Sequence, residues 1–434
     1  MSKLVINATK NYGEKILVAL RDEEISNSVY GVYVSLADLP KKQIEKLIGE
    51  IGTISRILYD FPIYFILDDN LYIAQSKLEE STSSTGKKIN SSNKLVCLME
   101  NADFSTFADF PLQPSSYVQN REYIHTIFTN FYDRYYSHSS DILLPTFILK
   151  DLNSWKEIMI EDTFANAQSY AEKHSKQITC SFIIDFGYLD KEDVALRIKR
   201  YFERYNRFRT VSITLTIDKV GTNSYTPQQY LTYMNFVHDL TSNKIKVRIQ
   251  NAGLKDVILS IFDIDSFGVG WSSSYRGMNL EQKKITDRQQ ASFGKKTKKI
   301  FLSNLMSEVP LSYFDVCSMQ ENTLFFGENF KGLNSISYNW IEQRYWIEFL
   351  KAISFPNNEY KATEENLDYS IIISRIVLFE AKFEDAKSNL EIIIKRLKQK
   401  GRYIDANKLR SDQLRCIINN EEALREFKNG IFDF

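Results

Sequence analysis

Thr179 to Phe186 reads TCSFIIDF, Lys191 to Tyr205 reads KEDVALRIKRYFERY, and Val211 to Asp218 reads VSITLTID. The first and third are short apolar, β-branched runs, the pattern of strands covered on both faces. The second places Val194, Ile198, Tyr201, Phe202 and Tyr205 at helical spacing behind Asp190, a residue suited to an N-cap. The alternation continues. Pro227 to Leu240 reads as a helix with Thr226 as cap and proline at its first position, Lys246 to Gln250 as a strand, Leu254 to Phe262 as a short helix, and Ser266 to Ser272 as a strand. Strands joined through helices by short connections form successive βα units of a parallel sheet.

Upstream, further strands are expected at Gly31 to Ala37, Pro62 to Leu67, Leu95 to Met99 and Ile142 to Leu149, with a helix at Lys41 to Ile51. The total of about eight favours a closed (β/α)8 TIM-type barrel over an open doubly wound sheet, and no glycine-rich G-x-G-x-x-G turn argues for a dinucleotide fold. We assign residues 1–335 to the barrel and read the Ser-rich stretch 79–93 as a polar loop insertion. From about 336 to 434 the strand signal gives way to long helical patterns, a C-terminal α-helical extension. Its apolar stripes, such as Ile371, Ile372, Ile376, Val377 and Phe379, are suited to packing on the barrel or on a protein partner or second copy.

Composition narrows the function classes. The 434 residues carry 55 basic and 55 acidic side chains, so attraction to a polyanion has to come from local clustering. The four cysteines are widely separated and the four histidines match no zinc pattern, so no metal and no cofactor is expected. No leader-like segment and no long uninterrupted apolar run is present, which gives the expectation of a cytoplasmic chain without membrane partners.

In a barrel, polar residues at the C-terminal ends of strands converge on one mouth. The expected strand ends supply Ser35 and Asp38, Asp68 and Asp69, Asp185, Asp218, then Gln250 and Asn251. Acids sharing one mouth repel one another, which raises carboxyl pKa values or draws in a cation or base edge. Asp185, Asp218 and Asp265 are the expected catalytic acids. For Asp185 and Asp218, capping the next helix or simply ending the strand in solvent is the competing structural role.

The segment Phe262 to Gly277, FDIDSFGVGWSSSYRG, adds candidate ligand contacts to Asp68, Gln250 and Asn251. Gly268 and Gly270 let another group approach the backbone, Ser272 and Ser274 offer hydroxyls, Trp271 and Tyr275 can stack on a planar ring, and Arg276 can hold a phosphate. Beyond it, Lys283, Lys284, Arg288, Lys295, Lys296, Lys298 and Lys299 face only Glu281 and Asp287, a basic run suited to a nucleic-acid backbone. A second basic and aromatic run, Arg197 to Arg209, is expected to lie along a helix with its stems over an apolar face.

The order strand, loop, helix, then D-S-F-x-x-x-x-S-S-S-Y-R-G over Lys246 to Gly277 resembles the late barrel of tRNA-guanine transglycosylases and their DNA-modifying relatives. The resemblance covers about residues 246–350. It implies a TIM barrel with a nucleic-acid-facing mouth, in which an aspartate attacks the sugar carbon while a base is exchanged. Asp265 matches the first acid of the family's motif, Gly268 stands where the nucleophile is expected, and Cys317 stands alone where the family carries a zinc-binding cluster.

Two functional expectations follow. One is a barrel that binds a nucleobase, nucleotide or nucleic acid at its mouth, with transglycosylase- or glycosidase-like chemistry in which an acid activates a leaving group. The other is a catalytically silent barrel that docks through its C-terminal helices into a bacterial multiprotein assembly, for which anti-phage defence is the suggested setting.

Overall fold

The computed structural model describes residues 3–8, 13–51, 56–67, 94–102, 113–149, 154–189, 193–216, 225–270, 299–327, 332–333, 338–359 and 369–432. Eight staves follow one another around a ring in chain order: β1 (Lys3–Ala8), β2 (Val29–Ser35), β3 (Ile57–Asp60), β4, β5 (Gln177–Asp185), β6 (Phe208–Thr216), β7 (Lys246–Ala252) and β8 (Ser266–Val269). The fourth is interrupted. Asp141–Leu143 and Phe147–Ile148 both pair with β5 and are separated by Leu144 to Thr146. Every hydrogen-bonded pair of staves is parallel, and β8 pairs with β1. The fold is a (β/α)8 barrel with a C-terminal helical extension.

One seam carries no strand ladder. Between β3 and β4 the ring is held by the Thr146 N–H donating to the Phe61 carbonyl at 2.8 Å, by the Thr146 hydroxyl on Asp60, and by an Arg56–Asp141 ion pair. Tyr136 adds support from outside: its hydroxyl accepts from Tyr59 N–H at 2.7 Å and donates to the Tyr59 carbonyl at 2.6 Å.

The apolar core lies between the staves and the helices. Phe182 packs against Phe164 and Tyr201 of the flanking helices Ser154–Lys173 and Asp193–Arg204, which fixes Ile178, Cys180, Phe182 and Ile184 as the outward row of β5. Thr179, Ser181, Ile183 and Asp185 therefore face the lumen. Register carries this assignment round the ring, because directly paired residues share a face: Ser181 pairs with Ser212 and Ser212 with Arg248, while Arg248 pairs with Ser266. The lumen is consequently lined by Thr179, Ser181, Thr210, Ser212, Thr214, Thr216, Arg248, Gln250 and Ser266, all buried, with Val5 and Ile183 as apolar members. A TIM barrel ordinarily fills this space with branched aliphatics.

Several expected elements are present within a residue or two of their expected bounds. The helix Pro227–Ser242 carries a full capping box, with the Gln229 N–H donating to Thr226 Oγ1 at 3.2 Å and the Thr226 N–H to Gln229 Oε1 at 2.9 Å. Asp190 lies outside the described residues. Upstream, two expectations are corrected. Tyr64–Leu67 and Lys94–Ala102 are helices, and the staves expected there are instead Lys3–Ala8 and Ile57–Asp60. In the helix Lys94–Ala102, Asn101 shows the reason: its amide, fully buried, donates to the carbonyls of Leu36 and Leu39 at 2.8 Å each.

The extension comprises Tyr338–Glu359, Tyr369–Gln399, Tyr403–Leu409 and Arg415–Phe432, the last two joined by a π-turn at Arg410–Leu414. It is anchored to the barrel by buried Arg375, which donates to the Ile261 carbonyl at 3.1 Å, and by Asn420, which donates to the Tyr230 hydroxyl at 3.0 Å. Of its expected apolar stripe, Ile372, Ile376 and Phe379 are buried, whereas Val377 is exposed.

Candidate functional site

The C-terminal mouth is assembled from the last residues of six staves: Asn7, Tyr33 and Ser35, Asp60, Asp185, Thr216, and Gln250 with Asn251. Three amides form a chain. Gln250 Nε2 donates to Asn7 Oδ1 at 2.7 Å, and Asn7 Nδ2 donates to Asn251 Oδ1 at 2.9 Å. Asn251 occupies the left-handed region at φ 56°, where the β7–β8 register breaks, so the local backbone re-aims its side chain across the ring toward β1.

Gly268 makes room for this chain. A Cβ on Gly268 would lie 1.9 Å from Gln250 Oε1, so the glycine expected to admit a close approach admits the Gln250 amide. Gln250 Oε1 and Thr216 Oγ1 are both buried and have no hydrogen-bond partner among the described residues. Buried acceptors left in this state are costly unless a polar guest meets them.

On the opposite arc, Asp60 is buried and its Oδ1 contacts the Thr146 hydroxyl, which lies 2.7 Å from Ser181 Oγ. The threonine can donate to the carboxylate while accepting from the serine. Burial, then the charge of Asp60 and a hydrogen bond to it, push the Tyr33 hydroxyl well above its ordinary range; Tyr64 is raised by burial and by the charges of Asp60 and Asp38. Both phenols thus stay protonated donors beside an acidic cluster of Asp38 and Asp60. Asp185 completes the rim, with its Oδ1 accepting from Gly187 N–H at 2.9 Å as cap of the turn Phe186–Tyr188. The capping role weighed for Asp185 is therefore present, at a position that also faces the mouth.

Asp265 requires a correction. It precedes β8, so it lies on the N-terminal rim, across the lumen from Asp185, and not in the mouth. Its Oδ2 is 3.2 Å from Arg248 Nη2 and accepts from Ser266 Oγ at 2.9 Å, while Arg248 Nε donates to that same hydroxyl at 2.8 Å. Burial alone would raise the Asp265 carboxyl, but Arg248, Ser266 and Arg56 outweigh it and hold the group below the usual carboxylate range. The pair neutralises an arginine inside the barrel. It is structural.

The structure brings together Asp185, Gln250 and Asn251 of the expected site. Lys299 begins a two-stranded hairpin, Lys299–Leu302 with Ser307–Pro310, and its Nζ sits 3.9 Å from Glu308. Asp68, Asp218, Trp271, Ser272, Ser274, Tyr275, Arg276, Lys283, Lys284, Arg288, Lys295, Lys296 and Lys298 lie outside the described residues. Asn7, Tyr33, Asp60 and Tyr64 were not singled out by sequence. Asn7 and Asp60 end staves that had not been recognised, so nothing marked them as mouth residues.

Among the described residues, no three His, Cys, Asp or Glu side chains cluster as metal ligands would, and no helix is long and apolar enough to cross a membrane. Compared with known protein families and with curated proteins, the chain matches none.

Proposed function

We propose that the C-terminal mouth binds a nucleobase or nucleoside, with the base edge read by the Gln250–Asn7–Asn251 amides and the sugar side facing Asp60 and Asp185. The observation that carries this reading is the buried Gln250 Oε1, which has no hydrogen-bond partner among the described residues although the Gln250 Nε2 is held by Asn7. Amides and carboxylates presented together match the donor-rich edges of bases, and the protonated phenols of Tyr33 and Tyr64 add donors for ring nitrogens or carbonyls. The acidic arc favours a neutral or cationic guest over a free phosphate. In a glycosyl-transfer reaction, Asp185 or Asp60 would protonate the leaving base or stabilise a cationic sugar carbon. Asp265 takes no part.

Calorimetric titration with nucleobases and nucleosides, on wild type, Gln250→Leu and Asp185→Asn, tests the proposal. Binding by wild type that is lost in Gln250→Leu, with thermal unfolding still cooperative, is the expected result. Absence of binding by any base or nucleoside to wild type, or unchanged affinity in both variants, overturns it.

A second reading, assembly through the C-terminal helices, is favoured by one feature: Tyr403 and Ile404, adjacent at the start of a helix, are 61% and 85% exposed. Concentration-dependent association lost on Ile404→Glu would support it.

A further inference from the structure

The opposite end of the barrel carries a different kind of surface. At the N-terminal rim the carboxylates Asp141, Asp265 and Asp263 are engaged by Arg56, Arg248 and Arg375, three arginines of which two are almost wholly buried. Those three carboxylates are thus engaged, and exposed Glu172, linked through Gln168 to Asn206 and the Arg207 backbone, is an acid that stays near the rim. Around the rim, Arg207 and Arg209 at the start of β6, and Lys244 and Lys246 at the start of β7, have no carboxylate partner among the described residues; Arg207 is half-buried and the other three are exposed. Thr210 pairs with Lys246, so these two starts are adjacent strands about 5 Å apart. Lys3, exposed at the start of β1, extends the arc past β8.

Helix dipoles account for only part of this pattern. Lys244 follows the C-terminus of Pro227–Ser242 and Arg207 that of Asp193–Arg204, where a cation offsets the partial negative charge. Arg209 and Lys246 lie inside strands, where no such benefit applies. Lys244 moreover adopts φ 61°, a left-handed position where glycine would be the unstrained choice.

We propose that this rim, centred on Arg207, Arg209, Lys244 and Lys246, binds the phosphate backbone of a nucleic acid. The proposal is independent of the ligand in the mouth. A backbone is favoured over an anionic membrane because none of the exposed large apolar side chains, such as Val118, Ile158, Leu196, Met319 or Ile404, falls on these two strand starts, leaving nothing to insert among acyl chains. Two arginines on one strand start and two lysines on its neighbour suit successive phosphates, which fix position without reading sequence.

The test is fluorescence anisotropy with a labelled 20-base-pair duplex, repeated across salt. Four phosphate contacts give a log–log slope of about −3 to −4, or roughly a 100-fold loss of affinity between 50 and 200 mM salt. Arg209→Glu with Lys246→Glu should weaken binding more than 10-fold and make the slope shallower by about 2, whereas Lys395→Glu with Lys400→Glu, a comparable charge reversal in the C-terminal extension, should leave both unchanged. Asp185→Asn should also bind as wild type, which separates this surface from the mouth. The proposal fails if wild type shows no salt-dependent binding, if the rim and distant variants lose affinity equally, or if phosphatidylserine vesicles bind as tightly as the duplex. Circular dichroism on each variant establishes that the fold is retained.

Discussion

Asp185 and Asp265 look alike in sequence, each an aspartate beside a short apolar strand, yet one ends its stave and the other precedes it. That difference sets opposite consequences for the same substitution. Asp265→Asn leaves the Arg248 guanidinium, 1% exposed, without its counter-charge, and should cost about 3–5 kcal/mol in urea denaturation. Because the Asp265 carboxyl is held below its unfolded value, its stabilisation is present above the ordinary carboxylate range and disappears as pH falls through the depressed value. Wild type should therefore converge on Asp265→Asn in stability only in strong acid. Asp185→Asn keeps an acceptor for Gly187 N–H and should shift stability by less than about 1 kcal/mol, while weakening nucleoside binding under the proposal made for the mouth. Gly268→Ala drives a methyl group into the Gln250 amide, so the amide chain has to break. Ligand affinity should fall as in Gln250→Leu, and an unchanged affinity would show that Gln250 does not contact the guest.

At the scale of elements, length and the regular alternation of the late barrel made elements legible: the four-residue Ser266–Val269 was recognised within that alternation, whereas the six-residue Lys3–Ala8, outside it, was not. The nine-residue staves β5 and β6 and the capped helix Pro227–Ser242 were recognisable because each has enough residues for its periodicity to show. Ile57–Asp60 has four residues, and the adjacent apolar run PIYFIL offered a more strand-like composition although Tyr64–Leu67 within it is helical. Two real staves were thus exchanged for two helical segments, which preserved the expected number while hiding Asn7 and Asp60. A different element offers a pH test. Asp256 begins the 3-10 segment Leu254–Phe262 by accepting from Gly253 N–H at 2.8 Å, and burial raises its carboxyl despite the opposing pull of Lys255 and of that hydrogen bond. A raised carboxyl contributes stability at low pH that is lost as pH rises through the folded value. Asp256→Asn, which retains the acceptor, should raise the denaturation midpoint more at neutral pH than in acid below the ordinary carboxylate range; an equal effect at both would show that the charge is already compensated.

For the whole molecule, the seam between β3 and β4 sets where the ring is weakest. Tyr136→Phe removes both hydrogen bonds to the Tyr59 peptide and leaves a buried N–H unpaired, a cost of about 1–3 kcal/mol. Hydrogen exchange should then quicken first across Ile57–Asp60, and uniform quickening around the ring would refute the seam as the point of opening. A second global property follows from the polar lumen. The adhesive that closes this cylinder is spread on its outer wall, where Phe182, Ile213 and Val247 meet helices, and the bore itself is lined with hydroxyls that contribute little cohesion. Appetite for a guest can accordingly drift by exchange of small polar residues at Ser181, Ser212 or Thr214 while the cylinder stays shut, so a pool of variants randomised there should keep cooperative melting even as its chemical tastes diverge.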